Sequence, residues 1–167
     1  MADKQTQKKV IDVIHKNCKL SLEQIALMTD LSAAEVAAVI DELEADGTIL
    51  GYGAIINWNN LQENQTVTAY IEIQVSPQRH CGFDRIAERI YQFPQVKSLN
   101  LMSGHYDLGL TVEAKSIQEI AMFVSENLST MESVLDTATH FVLKRYKSDG
   151  IVYASKKEDD EREVISI

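Results

Sequence analysis

The stretch from Leu20 to Val36 constrains the fold more than any other part of the chain. Ser21 with Gln24 and Ser32 with Glu35 are two capping boxes in close succession. In each, a serine hydroxyl satisfies a free backbone N–H at a helix start, and the third helical residue reaches back to the cap. Ile25, Ala26 and Leu31, then Val36, Val39, Ile40 and Leu43, supply apolar faces that would lock two short helices together. That is the pattern of a helix-turn-helix, whose second helix enters the DNA major groove. A preceding helix is predicted over residues 4–17, with Val10, Ile11, Val13 and Ile14 as its buried stripe. Asp46-Gly47 ends the second capped helix with glycine at a natural stop position. Thr48 to Asn57, β-prone and broken by Gly51 and Gly53, reads as a small wing hairpin and a strand leading out of the first domain.

The charge runs against the motif. The second capped helix carries Glu35, Asp41, Glu42 and Glu44 and no Lys or Arg. The whole chain of 167 residues has a net charge of -9. Residues 1–60 hold 5 Lys/Arg against 9 Asp/Glu, residues 61–147 hold 8 against 10, and residues 148–167 hold 3 against 6. This excludes nucleic-acid binding by bulk electrostatics. Cys18 and Cys81 lie far apart and outside any C-x-x-C spacing, so neither a disulfide framework nor a zinc site is expected. His80-Cys81 alone is too few ligands for a metal. No apolar run approaches the roughly 18 residues of a membrane span, and the polar start Met1-Ala2-Asp3-Lys4-Gln5 resembles no export signal. A cytoplasmic protein with no membrane partner and no cofactor is the expectation.

The rhythm changes after Trp58–Gln65, a polar stretch read as the boundary between a first domain (1–57) and a second (66–147). Thr66 to Ser76 alternates, with Val67, Ala69, Ile71, Ile73 and Val75 on one face, and Pro77 closes it. Phe83, Ile86, Ala87, Ile90 and Tyr91 fall at helical spacing. Val96–Met102 and Asp107–Glu113 read as strands around the turn Ser103-Gly104-His105-Tyr106. Ser116 with Glu119 caps a helix buried through Ile117, Ile120, Ala121, Val124 and Leu128, and Val134–Tyr146 is a last strand. The order β-α-β-β-α-β is a ferredoxin-like unit, so the fold class is α+β. Its free sheet face is expected to be apolar and to need a cover, most simply a second copy. Residues 148–167 form a charged tail, whose apolar end Val164–Ile167 is a candidate edge strand on a partner.

On these features the chain resembles the Lrp/AsnC, or feast/famine, regulators. The matching features run in family order: Ile11-Asp12 with Ile14, the Leu31-Ser32 turn with Val36, and Leu43-Glu44-x-Asp46-Gly47-x-Ile49. Gly51-Tyr52-x-Ala54, Ser103-Gly104-His105-Tyr106-Asp107 and Asp136-Thr137-Ala138-Thr139 follow. The resemblance implies a winged helix-turn-helix, then a sensing domain that dimerises through its sheets. It also implies dimers that often assemble into octamers, and amino acids or related metabolites as effectors. The family commonly has arginines where this chain has Ala37–Glu42, and often proline at the place of Ala33.

Within the motif, Ser32, Ala33, Ala34, Ala37, Ala38 and Asp41 are the groove-facing positions, with Lys19 among the few nearby cations. Ser32 and the free N–H groups of the helix start would bind a phosphate, and the alanines would touch thymine methyls. In the second domain, Gly104 suits a left-handed turn and bares a backbone N–H for an anion. The resemblance makes the Ser103–Asp107 loop the cradle of an effector carboxylate at the dimer interface. Asp107 and Asp136, with Thr137 and Thr139, are then candidates for the ammonium side. Met102 and Leu108 would line the side-chain pocket, with His105 and Tyr106 beside them. The favoured reading is a ligand-responsive regulator of double-stranded DNA and not an enzyme. A sensor or protein-docking module that uses the acidic helix is the alternative. The sirohaem decarboxylases share the two-domain architecture, but the segment Gly51–Leu61 offers no Arg or His for tetrapyrrole carboxylates.

Overall fold

The computed structural model describes residues 2–60, 66–76 and 82–153. The chain divides into two compact units, Met1–Ile56 and Asn57–Ile167.

In the first unit, Asp3 opens helix α1 (Lys4–Lys16) by accepting from the backbone N–H groups of Gln5 and Thr6. Helices α2 (Leu22–Thr29) and α3 (Ala33–Ala45) begin at Ser21 and Ser32, and both capping boxes close. Asp30 bends the chain between them in the left-handed conformation (φ 58°), which an aspartate tolerates. Val10, Ile14, Ile25, Ala26, Val36, Val39 and Leu43 meet in one core. Leu43 is fully buried there, so truncating it to alanine costs about 2–5 kcal/mol. Gly47 (φ +76°) carries the chain out of α3, and the Ile49 N–H returns to the Leu43 carbonyl at 2.9 Å. The expected wing hairpin does not form among the described residues. Gly51 to Asn57 has no strand pairing, and Leu50, Tyr52 and Ile55 stand exposed. A side-chain bond holds this segment to the helix: the Tyr52 hydroxyl donates to Glu44 Oε1 at 2.8 Å.

In the second unit, strands β1 (Val67–Val75), β2 (Val96–Leu101), β3 (Leu108–Ala114) and β4 (Val134–Phe141) form one antiparallel sheet in the order β2-β3-β1-β4. Helices α4 (Asp84–Tyr91) and α5 (Ile117–Phe123) cover one face, α5 continuing as a π-helical turn over Val124–Leu128. This is the ferredoxin-like order that the sequence predicts. Ala69, Ile71, Ile73 and Val75 of β1 and Leu108, Leu110 and Val112 of β3 pack against Ile86, Ile90, Ile120, Phe123 and Leu128. Phe93 and Phe123 meet edge to face at 5.2 Å.

Several expectations change, among them the burial of Ile117 and Ala121, which stand exposed on α5. The open sheet face is polar, not apolar: the strand period of two turns Thr68, Tyr70, Glu72 and Gln74 to it. The pairing adds Gly109, Thr111 and Glu113 from β3 and Asp136, Ala138 and His140 from β4. The last strand ends at Phe141 rather than Tyr146. A small hairpin, β5 (Lys147–Ser148) with β6 (Ile151–Val152), opens the expected tail. Its turn is Asp149-Gly150, both at positive φ (48° and 78°), the geometry that Asp-Gly favours. The rest of the tail from residue 154, the Val164–Ile167 segment and the His80-Cys81 pair lie outside the described residues.

Candidate functional site

The start of α3 is the first candidate. Its cap is not free to meet a ligand, because Ser32 is fully engaged with Glu35. The Ser32 hydroxyl donates to Glu35 Oε2 at 2.7 Å, and the Ser32 N–H reaches the same oxygen at 2.8 Å. The Glu35 N–H donates to the Ser32 hydroxyl oxygen at 3.2 Å. The bonds from Ser32 hold the Glu35 carboxyl below its usual range. The expected phosphate contact of Ser32 is thus taken by the chain's own carboxylate. Ala34, Ala38 and Asp41 are exposed along the helix, as expected. Ala33 and Ala37 are half-buried, and Ala33 packs against the core. The exposed outer face therefore narrows to Ala34, Ala38 and Asp41. Lys19 is exposed before α2 and lines a groove with Lys16 and the Thr48–Ile55 segment.

The second candidate is the loop between β2 and β3. The Met102 N–H donates to the Asp107 carbonyl at 2.8 Å and closes it. The loop is then tied to β1 at several points. The Asp107 N–H donates to the Ile73 carbonyl at 3.0 Å. The Asp107 carboxylate accepts from the Val75 N–H at 2.8 Å. Gln74 Nε2 donates to the His105 carbonyl at 2.7 Å. The Tyr106 and Tyr70 hydroxyls share a hydrogen bond of 2.9 Å, their rings edge to face at 6.3 Å. That bond comes first, ahead of desolvation and the nearby Glu72 charge, in pushing the Tyr70 phenol up to about 12. Gly104, at φ +154°, keeps positive φ without the left-handed turn expected, and space around it is open.

The strand register sorts the other expected residues. Asp136 pairs with Gln74 on the open face, one strand from the loop's anchor. Thr137 and Thr139 pair with Ile73 and Ile71, and so face the helices. They cannot share a site with Asp136, because adjacent strand residues point to opposite faces. Leu108 is buried under α4 and lines a cleft of about 340 Å³ with Phe83, Ala87 and Tyr91, away from the open face. Met102 is partly exposed beside the loop. Sequence reasoning misses Gln74, Tyr70 and Gly109. A Cβ on Gly109 would collide with the Tyr70 ring and press on Tyr106. A lone glycine inside a strand is the one signal of that close approach. Among the described residues no cluster of His, Cys, Asp and Glu is arranged to hold a metal, and no helix is long and apolar enough to cross a membrane.

Known proteins share this arrangement. The profile of the Lrp/AsnC ligand binding domain matches residues 68–152, and that of a winged helix-turn-helix DNA-binding domain matches residues 3–49. An uncharacterized HTH-type transcriptional regulator of Bacillus subtilis, YugG, is 42% identical over 99% of this chain and 98% of its own length. The HTH-type transcriptional regulator FL11 of Pyrococcus furiosus is 26% identical over 84% of this chain and 89% of its own. Among solved structures, the transcriptional regulator NMB0573 of Neisseria meningitidis, in complex with L-Met, superposes with a TM-score of 0.70. It has 22% identity, and the match covers 90% of this chain and 96% of its own. AsnC of E. coli gives 0.68 at 15% identity, covering 90% of this chain and 99% of its own. The chain therefore belongs to the Lrp/AsnC family: it is a DNA-binding transcriptional regulator that joins a winged helix-turn-helix to an Lrp/AsnC ligand-binding domain.

Proposed function

We propose that an amino acid or related small metabolite, bound at the Ser103–Asp107 loop where two copies meet through their open sheet faces, controls DNA reading by α3. The observation that carries this reading is the loop itself. Asp107, Gln74 and Tyr106 fix it to β1, while the space around Gly104 stays open. A rigid loop with accessible backbone is suited to an anion such as an effector carboxylate. Asp136, on the same face as Gln74, is placed for the ammonium end. Thr137 and Thr139 drop out of the proposed site. Ala34, Ala38 and Asp41 face the groove, the alanines against thymine methyls. With so few cations each protomer binds weakly, and affinity comes from dimers or larger rings that engage several half-sites at once.

A titration of the full chain with DNA from upstream of its own gene tests this, at two salt concentrations and with an amino-acid panel. The expected result is saturable, sequence-dependent binding that one effector shifts. Binding only above about 10 μM, the non-specific range, with an effector still bound, would favour a sensor that docks a basic protein through α3. The Glu35 carboxylate at the start of α3 is the observation behind that second reading.

A further inference from the structure

The paired cations missing from the reading helix occur on α4. Arg85 and Arg89 stand one helical turn apart, so their side chains leave the same side of the helix. Both line a cleft of about 390 Å³ together with Ser76, Thr130, Glu132 and Ser133. Among the described residues, neither guanidinium has a carboxylate within ion-pairing distance and neither makes a hydrogen bond. Glu88 sits three residues after Arg85, a spacing that permits pairing, yet the pair does not form. Two like charges one turn apart repel each other, and an anion held between them relieves the repulsion.

The far wall of the cleft is polar. The Ser76 N–H donates to the Ser133 carbonyl at 2.8 Å, which holds the two serines together. Neither serine hydroxyl has a partner among the described residues. The Thr130 hydroxyl donates to the Glu126 carbonyl at 2.8 Å and keeps only acceptor capacity. Ile86 and Met131, both buried, form the floor. Glu132 adds one carboxylate. Two guanidiniums suit a dianion, because each planar fork can engage two oxygens. The Glu132 carboxylate disfavours a bare polyanion and accepts from a hydroxyl on the other end of the ligand.

We propose that this cleft is a second ligand site, which takes a small phosphate ester. The phosphate lies between Arg85 and Arg89, and the hydroxyl-bearing remainder bonds Glu132 and Ser133. A dicarboxylate would satisfy the arginines but offers no donor to Glu132. The site shares no residue with the Ser103–Asp107 loop, so either can fail while the other stands.

The test is a calorimetric and phosphorus-NMR titration of the full chain at constant ionic strength, with glycerol 3-phosphate, inorganic phosphate and succinate as probes. Saturable binding of one glycerol 3-phosphate per chain is expected, tighter than inorganic phosphate and far tighter than succinate. Arg85→Gln and Arg89→Gln should each weaken it at least about tenfold, since each removes a charge-assisted contact. Both residues are exposed, and unchanged circular dichroism verifies the fold of each variant. Glu132→Gln should erase the preference for the ester over free phosphate. Arg145→Gln, outside the cleft, should change nothing. Non-saturating binding, an unchanged affinity in the double arginine variant, or equal affinity for all three probes would each overturn the proposal.

Discussion

The start of α3 and the Ser103–Asp107 loop are the two places proposed to receive an anion, and both have an acid close by. The two acids behave in opposite ways. Glu35 folds back onto Ser32 and occupies its hydroxyl and its N–H, two of the donors that a DNA phosphate would use. Asp107 turns toward β1, accepts the Val75 N–H, and leaves the space around Gly104 open. An acid near an anion site therefore does not by itself close that site. What decides is where its hydrogen bonds go: one carboxylate would compete with a ligand, and the other holds the loop that would receive one.

The largest expected effect comes from breaking the second arrangement. Asp107→Ala leaves the partly buried Val75 N–H without its acceptor, and such a loss costs about 1–3 kcal/mol. In a domain of this size that lowers the melting temperature by several degrees, readable by calorimetry. Asp107→Asn sharpens the comparison, since its amide oxygen still accepts from Val75. If Asp107 only positions the loop, the Asn variant keeps both stability and effector affinity. If its charge also meets the effector ammonium, affinity falls while stability holds. Gly104→Ala probes the open side. Its Cβ would meet nothing, so only the positive φ is strained, at about 1 kcal/mol. A tenfold loss of effector binding beyond that strain would place the ligand against Gly104.

Much of this is legible in the sequence, and the failures have physical causes. The Ser32–Glu35 box predicts the helix start, but the box itself uses only the Ser32 N–H and the hydroxyl oxygen. The bond that takes the hydroxyl proton from a phosphate is a further one, from the Ser32 hydroxyl to Glu35 Oε2, and the box pattern does not announce it. Chain proximity groups Asp136 with Thr137 and Thr139, whereas the strand period sends Asp136 to the open face and the threonines to the helices. The alternation in β1 marks its buried face correctly. The character of the open face depends on the other strands too, and only their register shows that Tyr70, Glu72 and His140 share it. The Asp149-Gly150 hairpin is hidden by the charged run after it. Gly51 and Gly53 promise a wing hairpin, yet a turn signal without two strands able to pair makes no hairpin.

The blocked start of α3 yields a paired expectation. Ser32→Ala removes the cap and costs about 1 kcal/mol of stability, measured as a fall in the urea midpoint. Glu35→Gln keeps a side-chain acceptor for the Ser32 N–H but removes the negative charge. DNA affinity should then rise several-fold at low salt, and the gain should shrink as salt screens the phosphates. An unchanged affinity in Glu35→Gln would mean that the DNA backbone never approaches this end of α3.

The smallest effect tests the aromatic anchor of the loop. Tyr70→Phe deletes the hydrogen bond to Tyr106, which is only partly buried, so the loss is about 0.5 kcal/mol at neutral pH. Its signature is in the alkaline limb. The folded chain holds the Tyr70 proton more tightly than the unfolded chain, its phenol being raised from 10.0 to about 12. The stabilisation is therefore fully present below the unfolded value and is lost as pH rises through the folded one. Urea midpoints should fall more steeply for the wild-type chain than for Tyr70→Phe as pH rises through that window, and the small wild-type advantage at neutral pH should be lost within it. Parallel curves would show that the Tyr70 hydroxyl does not hold the loop, and would leave Asp107 and Gln74 as its anchors.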